Sequence, residues 1–135
     1  MAAGKYSFSI EQGSTVDFEI AYKDSNGDPI DLTDYQARMQ LKDAPGGDTT
    51  YLTLSSSGAS IGCGTGLNLN GSTGLNPPTS GTIGVFISAK SSSALSFNEA
   101  VYDLEIASGS GDCYIVTRLI EGNVRLIKEV TTGTY

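Results

Sequence analysis

Apolar residues recur at every second position in short segments along most of this chain, which limits it to half-buried β-strands. Val16, Phe18, Ile20 and Tyr22 alternate with Asp17, Glu19, Ala21 and Lys23, so one face of that segment is apolar and the other polar. The same period runs through Tyr6, Phe8 and Ile10, through Tyr35, Ala37, Met39 and Leu41, and through Ile83, Val85 and Ile87. Tyr51 to Leu54 is a shorter β-rich piece. Between these segments lie turn residues. Asn26-Gly27 is the dipeptide that takes positive φ at both centres of a tight turn, and Pro29 after it cannot donate to a central ladder.

The stretch Ala100 to Thr131 reads as a three-stranded antiparallel meander. Tyr102, Leu104 and Ile106 face one way and Asp103 and Glu105 the other, Ser108 to Asp112 reverses the chain, and Cys113 to Ile120 forms the middle strand. Glu121-Gly122-Asn123 is then expected to turn the chain into a last strand with Val124, Leu126, Lys128 and Val130. Ser91 to Leu95 is expected to form one helical turn. The whole is therefore predicted to be all-β, an immunoglobulin-like antiparallel β-sandwich of about eight strands with one long Gly-rich loop. Residues 1–135 are read as one domain. Phe18, Ile20, Met39, Val85, Leu104 and Ile106 are expected to meet between the sheets. Ile30 and Leu32 should tuck in beside them. Tyr102, two residues before Leu104 on the same face, is placed where a tyrosine corner would bond its hydroxyl to backbone, although plain core packing explains the spacing equally well.

Few chemistries are open to this composition. Without histidine, neither a Ser-His-Asp nor a Cys-His arrangement can be built. Asp103 and Glu105 share a strand face at a separation glycosidases use, but that face is the solvated one and the chain has no tryptophan to make a sugar platform. No catalytic residue, cofactor or metal is assigned, and the chain is expected not to be an enzyme. A formal net charge of -7 disfavours a phosphate-backbone partner, since nucleic-acid binding leans on Lys and Arg. Neither an 18-residue apolar run nor a signal-peptide core is present, so no membrane partner is expected. Cys63 and Cys113 lie outside any C-x-x-C pattern and lack cationic neighbours, and both are expected to be free, unreactive thiols.

Two loops remain as places for function. Asp24, Asn26, Asp28, Asp31 and Asp34 supply oxygen ligands, but Gly27 falls at the fourth position and Tyr35 at the twelfth, which excludes an EF-hand. A looser calcium site and a set of Asx turns are the two readings left. From Gly58 to Gly81 the chain is rich in Gly, Ser, Thr and Asn, with Thr65-Gly66-Leu67-Asn68 repeated as Thr73-Gly74-Leu75-Asn76. No Gly-Lys-Ser/Thr follows, so this is not a phosphate-binding loop. Leu67, Leu69 and Leu75, with Pro77 and Pro78 stiffening the exit, form the candidate protein-contact loop. It is expected to be mobile in the isolated chain and ordered against a partner, the alternative being that its leucines fold back and cap the sandwich.

The segment Tyr22 to Gln40 (YKDSNGDPIDLTDYQARMQ), with Tyr102-Asp103-Leu104-Glu105-Ile106, Thr117-Arg118-Leu119-Ile120-Glu121-Gly122 and Lys128-Glu129-Val130-Thr131, resembles small structural proteins of tailed bacteriophages. The family includes the N-terminal domains of baseplate upper proteins and virion proteins of cyanophage-like myoviruses. The resemblance runs from about Tyr6 to Thr131 and is one of β-module style, not of a catalytic signature. It implies a virion component with an immunoglobulin-like fold that acts by contacts with other virion proteins, as a homo-oligomer, in the tail, baseplate, collar or fibre-attachment region. Those relatives continue into a stalk and receptor-carrying region where this sequence ends at Tyr135, which favours an adaptor over a receptor binder. Capsid decoration and a free-standing calcium- or carbohydrate-binding sandwich are the alternatives. The ends, Met1 to Lys5 and Thr131 to Tyr135, are expected either to fray or to lie across a neighbour.

Overall fold

The alternating segments become strands almost one for one. The computed structural model describes residues 4–56, 64–109 and 111–132, and every structural statement here concerns those residues. The strands are β1 (Gly4–Lys5), β2 (Phe8–Glu11), β3 (Val16–Ala21), β4 (Gln36–Lys42), β5 (Thr50–Ser55), β6 (Gly66–Asn68), β7 (Thr82–Ile87), β8 (Glu99–Ser108) and β9 (Ile115–Ile127). One short helix, α1 (Ala89–Ser93), precedes β8. It begins two residues earlier than the serine run suggests because the Ser88 hydroxyl caps it, accepting from the Ser91 amide at 3.1 Å.

These strands form two sheets. The larger has the order β1-β9-β8-β4-β5, with β2 also beside β9, and the smaller has the order β3-β7-β6. The chain crosses between sheets from β2 to β3, from β3 to β4, from β5 to β6 and from β7 to β8, so neighbours in sequence are divided between the layers. With the first strand laid on the outer side of the last, this is the topology of an immunoglobulin-like sandwich. The inner faces meet in one core. Met39, Leu41, Leu54, Ile83, Val85, Ile87, Leu104 and Val124 are each at most 1% exposed, and Phe18 and Ile20 pack against them half-buried. Leu32 is buried and Ile30 half-buried at the crossover that leads to β4.

An aromatic group ties the first strand to both sheets. The Phe8 ring lies 5.2 Å from Phe18 and 5.1 Å from Tyr102, centroid to centroid, and Tyr6 lies 6.0 Å from Phe18. Such tilted and edge contacts are worth about 0.5 to 1.5 kcal/mol beyond area burial. At the other end, α1 is fastened by Ser92, whose buried hydroxyl donates to the Ser14 carbonyl at 2.7 Å and accepts from the Gly13 amide at 3.0 Å.

Three expectations need correction. The meander of three strands is a hairpin of two, because β9 runs unbroken through Glu121-Gly122-Asn123. Its apolar phase does change, with Leu119 buried at an odd position and Val124 and Leu126 at even ones, but the cause is a bulge. Leu104 pairs with Ile120 and Glu105 with Arg118, which leaves Leu119 as an extra residue. Gly122 is not there to turn the chain. A Cβ at that position would come within 2.1 Å of the Tyr6 carbonyl oxygen, so its bare Cα is what lets the N-terminal segment approach. The sandwich is also not wholly antiparallel. β1 and β2 run parallel to β9, pairing Gly4 with Ile120 and Phe8 with Val124. Gly4 and Lys5 are therefore ladder residues and not part of a loose arm.

Finally, the stretch read as one long loop is built, as far as residues 64–81 show. Gly66–Asn68 is β6, paired to β7, and a short 3-10 turn covers Pro78–Ser80. Asn70 and Asn76 hold the tip closed. The Asn76 amide donates to the Asn70 carbonyl at 3.0 Å, and the Asn70 side chain donates to the Asn76 carbonyl at 2.9 Å. The Ser72 amide donates to Glu19 at 2.9 Å, which fixes the tip to β3. The two Thr-Gly-Leu-Asn repeats thus fold differently, the first as a strand and the second as a turn.

Candidate functional site

The residues singled out in sequence do not converge. Leu67 is fully buried in β6 and so is not available to a partner as expected, while Leu69 is half-buried against the core. The reason is register: Leu67 lies opposite Val85 and faces inward with it. Leu75 is 86% exposed, Pro77 is exposed and Pro78 half-buried. The Pro78 carbonyl accepts from the Leu32 amide at 2.9 Å, so the proline pair anchors the crossover that leads to β4.

The acidic loop 24–34 is made of Asx turns. Asp24 Oδ1 accepts from the amides of Asn26 at 2.9 Å and Asp28 at 3.0 Å, and Asp31 Oδ1 accepts from the Thr33 amide at 2.9 Å. The Thr33 hydroxyl bond, then the amide bond, hold the Asp31 carboxyl below its usual range. Among the described residues no group of three or more His, Cys, Asp or Glu is placed to hold a metal ion. Cys113 is an exposed free thiol in the turn before β9, and Cys63 lies outside the described residues.

Asp103 and Glu105, the carboxylates weighed as a catalytic pair, stand in a charged lattice on the outer face of the large sheet. Arg38 Nε meets Glu105 at 2.7 Å, Arg118 Nε meets Asp103 at 3.1 Å, and Lys5 pairs with Glu121 across β1 and β9. A shallow cleft of about 570 Å³ opens over this lattice. Partial burial pushes the Asp103 carboxyl above its usual range, with Arg118 opposing the shift. Exposed pairs of this kind are worth about 0 to 1 kcal/mol each, and here they set cross-strand register.

Beneath the lattice Tyr102 does make the bond its position suggests. Its hydroxyl donates to the Tyr6 carbonyl at 2.5 Å, joining β8 to the segment between β1 and β2. A tyrosine corner bonds a few residues upstream; this one reaches past β9 to the segment between β1 and β2 instead. Burial, then the neighbouring Tyr6, pushes the Tyr102 phenol well above its ordinary pKa.

From Ile120 to Ile127 the outer side of β9 is covered by β1 and β2, but from Ile115 to Leu119 only β8 pairs with it among the described residues. Beside that open edge stand Tyr114, Ile115 and Val116, exposed by 48%, 69% and 51%. Val116 and Tyr114 line a small groove of mixed polarity with Arg38, Glu105, Ile106 and Ala107 on the outer face. Ile115 faces the other way. The signal was present: three consecutive apolar residues break the alternation, and a strand end exposed on both faces does not need it.

Fold and edge together define an immunoglobulin-like β-sandwich in which, among the described residues, the apolar start of β9 has no outer partner strand. No protein-family model and no curated protein matches the chain. Among solved structures it is similar to the N-terminal domain of phage TP901-1 ORF48. That likeness has 14% identity and a TM-score of 0.48, and it covers 94% of this chain and 86% of that one.

Proposed function

We propose that this chain is a non-enzymatic structural module of a tailed-bacteriophage virion, joining other virion proteins in the tail, baseplate, collar or fibre-attachment region. The observation that carries the reading is the open edge of β9. Outward backbone groups from Ile115 to Leu119, without a partner strand among the described residues, stand beside exposed Tyr114, Ile115 and Val116 and form a template for strand addition, which natural proteins usually blunt unless a partner covers it. The sequence resemblance over Tyr22 to Gln40 and Tyr102 to Thr131 supplies the class of partner. Asp24 and Asp31 are engaged in Asx turns and Asp103 and Glu105 in cross-strand ion pairs, which suits a part that works by shape.

Mass spectrometry of purified particles of the phage encoding the chain tests this reading. The chain is expected in stoichiometric amounts relative to other tail proteins. Its absence from intact particles, with expression in infected cells, overturns the proposal.

A further inference from the structure

We propose that the occupant of the open β9 edge is a second copy of this chain, paired antiparallel about a two-fold axis at Ile115. The proposal deepens the assembly reading and rests on it only in taking this edge as a contact surface.

The argument starts from the order of residues along the edge, Asp112-Cys113-Tyr114-Ile115-Val116-Thr117-Arg118. A two-fold contact is self-complementary, so residue i meets residue j and j meets i. Centred on Ile115, antiparallel pairing sets Ile115 against Ile115 of the second copy and Tyr114 against its Val116. Beyond the ladder, the 3-10 turn that carries Asp112 lies toward Arg118 of the second copy, on both sides of the axis. All three large exposed apolar side chains are thereby covered at once. The charges agree too, since an edge acidic at one end and basic at the other is complementary to itself only when reversed. Asp112 is exposed, and the Arg118 side chain keeps 53% of its surface while holding Asp103. Parallel pairing would instead set like charges together at both ends.

The ladder agrees with this direction. The bulge at Leu119 and the arrival of β1 at Ile120 close the edge on one side. The turn at Gly111–Cys113 closes it on the other. An incoming strand thus has a short window from Tyr114 to Arg118, within which the second copy pairs through Tyr114, Ile115 and Val116. The contact joins two large sheets edge to edge, adding main-chain hydrogen bonds on both sides of the axis.

The test uses the full chain with Cys63→Ser and Cys113→Ser, into which Ile115→Cys is placed at the two-fold axis. A parallel protein carries Ile127→Cys, an exposed position of β9 away from the window. Under mild oxidation the Ile115→Cys protein is expected to give a disulfide-linked dimer as its main species and the Ile127→Cys protein to stay monomeric. Sedimentation equilibrium of the unaltered chain under reducing conditions should show a concentration-dependent dimer, weakened about tenfold or more by Ile115→Lys and by Asp112→Lys. Equal cross-linking at the two positions overturns the proposal. So does a monomer at every concentration, which would assign the edge to a different protein. These outcomes leave the virion measurement untouched, so the two readings fail separately.

Discussion

Tyr102, Tyr6 and Gly122 show how much one contact asks of several residues. The Tyr102 hydroxyl needs the Tyr6 carbonyl beside it, and that carbonyl reaches its place only because Gly122 has no Cβ in the way. Tyr102→Phe should cost about 1 to 2 kcal/mol, since it leaves a carbonyl without its partner, and urea denaturation measures it. Gly122→Ala should cost about 1 to 3 kcal/mol, because a backbone oxygen, not a flexible side chain, must give way. The same phenol sets an alkaline limit. Its folded pKa lies above the unfolded one, so the folded state holds this proton more tightly. The stability linked to it is complete below about pH 10, the unfolded value, and is lost as the pH rises from there toward the folded value. Thermal melts of the Tyr102→Phe variant should therefore fall less steeply above that pH than those of the unaltered chain.

At the scale of the element, β6 and β9 separate what periodicity can show from what it cannot. Leu67→Ala should cost about 2 to 5 kcal/mol, like Leu104→Ala, because both side chains are fully buried. Leu75→Ala should stay within about 0.5 kcal/mol, since that side chain is 86% exposed. Chemical denaturation of the three variants checks this directly. A period of two placed β3, β4 and β8 correctly, because each is half-buried along its length, and it placed β7 through Ile83, Val85 and Ile87. It could not distinguish Leu67 from Leu75, since identical Thr-Gly-Leu-Asn words become a strand or a turn according to whether β7 lies alongside. It also read the phase change near Leu119 as a turn, for an inserted bulge residue and a reversal leave the same mark on alternation. Parallel addition of β1 and β2 was invisible for a related reason. Which strand pairs with which depends on contacts distant in sequence, such as Tyr6 with Tyr102. The open edge was missed because an exposed apolar run was read as an ordinary strand.

For the whole molecule, the two sheets account for the stable core and the end of β9 for its incompleteness. Among the described strand residues the exposed large apolar side chains are Ile115, Val116 and Ile127, and the first two coincide with the stretch where β9 lacks an outer neighbour. Assembly through this edge requires no change elsewhere in the fold, so the isolated chain and the chain in a particle should share one backbone. Amide hydrogen exchange, followed residue by residue along β9 in the dilute chain and in assembled particles, tests this most directly. Residues 120–127 should be protected in both states, since β1, β2 and β8 already hold them. The amides of Ile115 to Leu119 that face away from β8 should exchange rapidly in the dilute chain and become protected in the particle. Rapid exchange of those amides in both states, with the chain present in the particle, would contradict the account.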